Sequence, residues 1–441
     1  MKLKSILGGA TLALAFLASA QADVTVNITG ATAFRAATLA SIKARYVASG
    51  AAFKFAHDMA TSGGTTYTGA TRAIFIGTFP GVTGTTTIRC CFTGSVEGVR
   101  ALIPGVVDPL PPTYYQSALL TGTTAVVGGA ELANQGTTGA AALGGISDIA
   151  FSDVTKSSTP YSASPLQPSS PSAGVILFTM IGNNGWPSSV TSITAQQFRA
   201  LLAGGFQPLS MFTGNAADTD YVFATGRNDG SGTRTTYLAE SGYGITKVVN
   251  QHVANVSTST ALTQIQLVPA GGVNSPVLPG QTASNASTVW GQNVAGNGGY
   301  NSGSALRGDL AKTSTAVTVL DALGADAFGG PVNLYLVSWL SLSDAATART
   351  GGAKILGYNG VILSDYATSG TVSATDKAKI TNGAYTAWGY ENMYMRNDGY
   401  SGDKKAVYDA LKGNLVLSGN AGIALGDMQV FRSVDGGTVA P

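Results

Sequence analysis

One local pattern recurs three times in this chain and limits the folds open to it. VTVNIT, from Val24 to Thr29, alternates as a strand does and runs into GATAFRAATLASIKARY, whose apolar residues recur at helical spacing. TTTIRCCFTG runs into SVEGVRALI, where Val96, Val99 and Ile103 fall on one helical face. DYVFATGRNDG runs into SGTRTTYLAE. A strand, a glycine turn, a Ser or Thr and then a helix is the alternating signature of α/β architecture. ISDIAFSDV, AGVILFTMIG, NLYLVSWLSLS, AKILGYNGVIL and GAYTAWGYENMYM read as further buried or half-buried strands. With 441 residues the chain is long enough for more than one domain with its own core.

The same three turns suggest chemistry. A helix N-terminus offers unpaired backbone N–H groups and a partial positive charge, and a Ser or Thr there adds a hydroxyl donor. Glycine lets the backbone approach a ligand closely. Any one such end is more simply an ordinary cap. Three of them at strand ends, one carrying Arg227, describe a pocket for a tetrahedral oxyanion, because the crevice of an open α/β sheet lies at the carboxyl ends of its strands.

The first 22 residues, MKLKSILGGATLALAFLASAQA, have a basic start at Lys2 and Lys4, a short apolar run from Ile6 to Ala20, and small residues at Ala20-Gln21-Ala22. This is the pattern of a cleaved export signal, too short for a membrane span. The mature chain is expected to start at Asp23, exported to the periplasm. Removing Lys2 and Lys4 from 25 basic residues leaves 23 against 23 acidic ones. A mature charge near zero disfavours nucleic acid or an anionic membrane as partner, so any anion must be held by a local site. Cys90 and Cys91 are adjacent in IRCCF. Neighbours on a strand point to opposite faces, and a disulfide between them would be strained, so both are expected as plain strand residues.

The order of motifs resembles the periplasmic phosphate-binding proteins of ABC phosphate uptake systems, from about Asp23 to Tyr390. ITGATAFRAA resembles that family's first loop, FTGSVEGV its second, and DIAFSD a segment ending in Ser-Asp. RNDGSGT matches with Arg, Asp and Ser-Gly-Thr all in register. WGQNVAGNGGYNSG, from Trp290, and ITNGAYTAWGY resemble later segments. The resemblance implies a two-lobed type II solute-binding fold, each lobe a mixed sheet flanked by helices, joined by a two-segment hinge. It implies that Ser95 donates through its hydroxyl and N–H, that Asp153 faces the ligand, and that Arg227 forms the charged fork. Asp229 would hold Arg227 in place, and Ser231, Gly232 and Thr233 would supply the third helix end. The first loop departs from the pattern. It is one residue shorter, the family's donor threonine falls on Ala33 beside Thr32, and Arg35 follows Phe34 where proline is common. Thr32, Ala33 and Phe34 are the candidates there.

Asp153 also bears on which anion. A carboxylate only accepts hydrogen bonds. It can accept from phosphate, which carries a proton at neutral pH, but not from sulfate, which carries none. Loss of a required hydrogen bond can discriminate by roughly 10⁴ or more.

Competing readings are weaker. Ser231 in Asp-Gly-Ser-Gly is not a Gly-x-Ser-x-Gly elbow, and only His57, in an insertion, and His252, on an expected helix in KVVNQHVANV, could serve a serine or phosphoester hydrolase as base. No metal or cofactor is expected, since Asp218 and Asp220 are too thin for a calcium loop and there is no HExxH. A second RNDG, Arg396 to Gly399, is followed by Asp403 at a helix start, which suits a capped surface turn and would repel an anion. The Gly/Thr-rich stretches leave open a secreted interaction protein on the same fold with altered or lost anion binding.

The expected organisation is a first lobe of residues 23–174 plus 339–441, with insertions over about 48–84 and 107–139, and a second lobe of residues 175–338. Ser157–Ser172 is expected as an exposed connector. The expected function is capture of phosphate, or a similar protonated oxyanion, without catalysis, by a monomer that delivers it to an ABC transporter permease.

Overall fold

In a computed structural model the protein is described over residues 23–105, 112–136, 143–167, 172–268, 289–290, 298–417 and 420–441. The expected export signal and residues 291–297 of the Trp290 segment lie outside these. Among the described residues no helix is long and apolar enough to cross a membrane.

The first two strand–helix repeats form as their alternation predicts. Val24–Gly30 pairs in parallel with Thr86–Cys91 on one side and Ile149–Ser152 on the other. Three parallel strands end on the same edge of the sheet, so the segments after Gly30, Cys91 and Ser152 emerge side by side. The helices Arg35–Ala48 and Ser95–Ala101 follow the first two. The third repeat lies in another part of the sheet. Tyr221–Ala224 runs parallel to Leu334–Ser341 and leads to the helix Gly232–Glu240.

Two long strands carry the sheet between these halves. Gly174–Gly182 is buried at all nine positions, as its near-continuous apolar run suggests. Its residues 174–177 pair with Trp388–Arg396, and residues 178–182 pair with Leu334–Ser341. Trp388–Arg396 does the converse, pairing its residues 392–395 with Ile149–Ser152. The result is a large mixed α/β sheet, with the order Phe206–Pro208, Tyr221–Ala224, Leu334–Ser341, Gly174–Gly182, Trp388–Arg396, Ile149–Ser152, Val24–Gly30, Thr86–Cys91. The core follows this path, with Val26, Ile28, Phe151, Ile176, Met180, Trp339 and Trp388 all fully buried.

Several expectations change. Leu334–Ser341 is flanked on both sides by strands of the second half, and Lys354–Tyr358 also pairs with Gly174–Gly182. The stretch 48–84 is built into the sheet. FKFAH (Phe53–His57) and RAIFIG (Arg72–Gly77) pair with each other, and the latter with Thr86–Cys91, continuing the sheet outward. Their alternating apolar residues fit a pleated, half-buried surface. The connector is partly built in, since Leu166–Gln167 pairs with Met395 and Arg396. Cys90 and Cys91 are both buried free thiols on their strand.

His252 lies on a strand, His252–Ser257, and not on a helix. Its β-branched valines pair against Leu262–Leu267. Its ring packs edge-on to Phe223 at 4.8 Å, and burial brings its imidazole from 6.5 down to about 3. The unfolded chain takes a proton near pH 6.5 and the folded one only near 3. Stability is therefore intact above pH 6.5 and falls as pH drops from there toward 3. Melting temperature should decline more steeply over that window in wild type than in His252→Leu; equal slopes would contradict a buried neutral histidine.

Candidate functional site

The site is assembled at the strand ends described above. Ser95 is the first residue of its helix, 1% exposed. The preceding Gly94 has φ +132, and a Cβ on it would stand 2.5 Å from the carbonyl oxygen of Gly230, so both conformation and contact require glycine. That carbonyl accepts from the N–H groups of Val96 at 3.1 Å and Glu97 at 3.3 Å. The loop of the third repeat is thus docked on the helix end of the second, and the two halves are closed on each other.

Gly232 sits at the closest approach. A Cβ there would lie 2.3 Å from Ser95 Oγ and 2.8 Å from Asp153 Cβ. Ser95, Asp153 and Gly232, named separately from three motifs, therefore meet. Asp153 is 2% exposed. Ser95 Oγ and Asp153 Oδ1 are both buried with no hydrogen-bond partner in the protein. Burial pushes the Asp153 carboxyl above its ordinary range, while Glu391, Ser95 and Arg227 pull it back.

Arg227 is only 2% exposed. Its Nε donates to the Tyr300 carbonyl at 3.0 Å, one terminal nitrogen to Thr32 Oγ1 at 3.3 Å and the other to the Asn301 carbonyl at 3.0 Å. All three acceptors are neutral. Burial brings its guanidinium down to about 10, with the charges of Asp344 and Asp153 acting the other way.

Asp229 does not hold Arg227. It lies among Arg234 and Arg100, whose charges offset the burial that raises its carboxyl. Arg234, which the sequence reading passed over, donates to the Arg227 carbonyl at 3.0 Å and so fixes the loop from beneath. Arg227 and Asp229 of RNDG therefore turn to different partners.

Ser231 is the N-cap of its helix, its Oγ accepting from Arg234 N–H at 3.3 Å. Thr233 is 3% exposed on the first turn. In the first loop, Thr32 joins the site through Arg227. Phe34 stacks on Phe151 at 5.9 Å, so its ring belongs to the core, and it and Ala33 can offer a ligand only backbone groups. Beyond Thr32 and Ala33 lies a cavity of about 250 Å³, lined also by Arg35, Arg307 and Asp344. There Asp344 pairs with Arg307 at 2.8 Å and with Arg35 at 3.9 Å.

Neither histidine serves Ser231. His57 Nε2 lies 2.8 Å from Glu131, and His252 packs as described. The second RNDG is a surface turn in which Arg396 pairs with Asp398. The sequence reading missed Glu391, which lies against Asp153. Its signal was available: it is the single acid in the strand Trp388–Arg396.

No protein-family model matches the chain, and no curated protein matches it. Among solved structures the chain is similar to a protein from Clostridium perfringens described as a phosphate ABC transporter substrate-binding protein, with phosphate bound. Identity is 12% over 88% of this chain and 92% of that one, with a TM-score of 0.40. An ABC-type phosphate transport receptor from Vibrio cholerae is 12% identical over 88% and 93%, with a TM-score of 0.36. PstS from Borrelia burgdorferi is 13% identical over 88% and 91%, with a TM-score of 0.31. Values this low leave the functional reading to rest on the residues themselves.

Proposed function

We propose that this chain is an exported solute-binding protein that encloses inorganic phosphate, or a similar protonated tetrahedral oxyanion, between its two halves. The observation that carries this reading is Arg227, a guanidinium 2% exposed whose bonded partners are all neutral. Burying that charge costs several kcal/mol; Asp344 and Asp153 act against the cost from a distance, and an anion hydrogen-bonded to the guanidinium would offset more of it. Ser95 Oγ and Asp153 Oδ1, buried and unsatisfied, are a donor and an acceptor for such an anion. The N–H groups of Gly232 and Thr233 at a helix N-terminus complete the set.

The acceptor gives the preference. A donor on the ligand must meet Asp153, so phosphate fits and sulfate does not. Micromolar binding needs about 8 kcal/mol, and charge-assisted hydrogen bonds contribute about 1.5–3 kcal/mol each, so a handful suffices. In this reading the protein binds and releases without catalysis, as a monomer in the periplasm, and its closed form is what an ABC transporter permease meets. The lobes are residues 23–173 with the C-terminal part of Trp388–Arg396 onward, and the sequence between the two crossing strands.

Titration calorimetry on protein stripped of anion by unfolding and refolding tests this, with phosphate against sulfate. Phosphate heat at micromolar concentration without sulfate heat is expected. Folded protein silent to both would end the solute-binding reading and favour a protein whose partner is macromolecular.

A further inference from the structure

Glu391 is fully buried on the strand Trp388–Arg396, and neither of its carboxylate oxygens has a hydrogen-bond partner. The register sets it against the anion site. Asn392 lies across from Ser152 in an antiparallel pairing, so Glu391 falls opposite Asp153, the next position along. Side chains directly opposed across antiparallel strands share a face, with Cβ atoms about 5 Å apart. On its other side Glu391 is paired with Gly174, which has no side chain to interpose. Two buried acids therefore face each other beside Ser95. Both cannot ionise at such a separation without large repulsion. One proton between them removes a charge and supplies the hydrogen bond that Glu391 lacks.

We propose that Glu391 is a specificity-determining residue of the anion site, holding one proton against Asp153 so that Asp153 meets the ligand as an ionised acceptor. This rests on the phosphate reading and adds the state in which Asp153 works. Burial, and then the charge of Asp153, push the Glu391 carboxyl well above its ordinary range. Asp153 is raised by burial too, but Glu391, Ser95 and Arg227 pull it down, against a smaller push from Asp435. The proton therefore resides on Glu391. The surrounding elements bring few other charges. Asp435 accepts from Thr155 N–H at 2.8 Å, Tyr394 follows on the same strand, and Thr236 Oγ1, on the helix of the third repeat, is neutral and unpartnered.

The consequence concerns selectivity. Without the Glu391 proton, Asp153 loses the donor that keeps it ionised, and burial drives it to take a proton itself. A protonated Asp153 donates. It would then accommodate a fully ionised oxyanion such as sulfate and lose the acceptor that protonated phosphate needs.

The test is calorimetry with phosphate and with sulfate on wild type, Glu391→Gln and Glu391→Leu at neutral pH. The glutamine amide still donates to Asp153, so Glu391→Gln should keep phosphate affinity within roughly threefold and keep rejecting sulfate. Glu391→Leu should reduce the preference for phosphate over sulfate by roughly tenfold or more. A leucine variant with wild-type preference overturns the role of Glu391 and leaves phosphate binding standing. A wild type that binds no phosphate overturns the phosphate reading itself, and this inference with it. Should Glu391→Leu not fold, infrared spectroscopy decides. A buried protonated carboxyl band at neutral pH that Glu391→Gln removes supports the shared proton; its absence from wild type overturns it.

Discussion

Arg227→Ala should lower phosphate affinity by roughly two to four orders of magnitude. The guanidinium fork can give a tetrahedral anion two charge-assisted hydrogen bonds, each contributing about 1.5–3 kcal/mol, and every 1.4 kcal/mol is about a factor of ten. Alanine also removes the donors to the Tyr300 and Asn301 carbonyls, so circular dichroism must first show that the variant folds. Arg227→Lys separates charge from geometry. It keeps a point charge but not the planar fork, and its affinity should fall between those of wild type and alanine. Micromolar phosphate binding by folded Arg227→Ala would remove this residue from the site.

Gly232→Ala is the complementary experiment, because it touches closure and leaves the charges in place. The added methyl would lie 2.3 Å from Ser95 Oγ and 2.6 Å from its Cβ, distances that real Cβ atoms do not adopt. Gly232 is not among the glycines at positive φ, so alanine strains no backbone there. The conflict exists only when the third repeat is docked on Ser95 and Asp153. Phosphate affinity should therefore collapse, by roughly 100-fold or more for a clash of a few kcal/mol. Small-angle scattering should show a larger radius than wild type with ligand, while each half keeps its secondary structure. A variant that compacts with phosphate as wild type does would show that the halves do not meet through Gly232.

The parts of this site that were legible in sequence are those fixed within a few residues. Gly94 and Gly232 stand where a backbone must come close, Ser231 where a helix must be capped, and Ser95 and Arg227 beside them. Each is specified by the turn in which it sits. What those residues face was not legible. Asp229 lies two positions from Arg227 and was assigned to it, yet the turn sends it toward Arg234 and Arg100. Arg227 is enclosed by partners that no local pattern names, Tyr300 and Asn301, more than seventy residues along the chain. His252 was placed on a helix because VVNQHVANV carries apolar residues at both periods, and only pairing with Leu262–Leu267 selects the strand.

Local sequence determined the strand–turn–helix units, the glycines that permit close contact and the chemical types brought to the turns, since hydrogen bonds within a turn and side-chain periodicity act over a few residues. Tertiary structure alone decided that Trp388–Arg396 bridges Gly174–Gly182 and Ile149–Ser152, that the third repeat docks on the second, and that Glu391 stands opposite Asp153. The first and last of these depend on strand register between segments more than two hundred residues apart. A shift of one residue would turn Glu391 to the other face, and nothing within either segment specifies the register by itself.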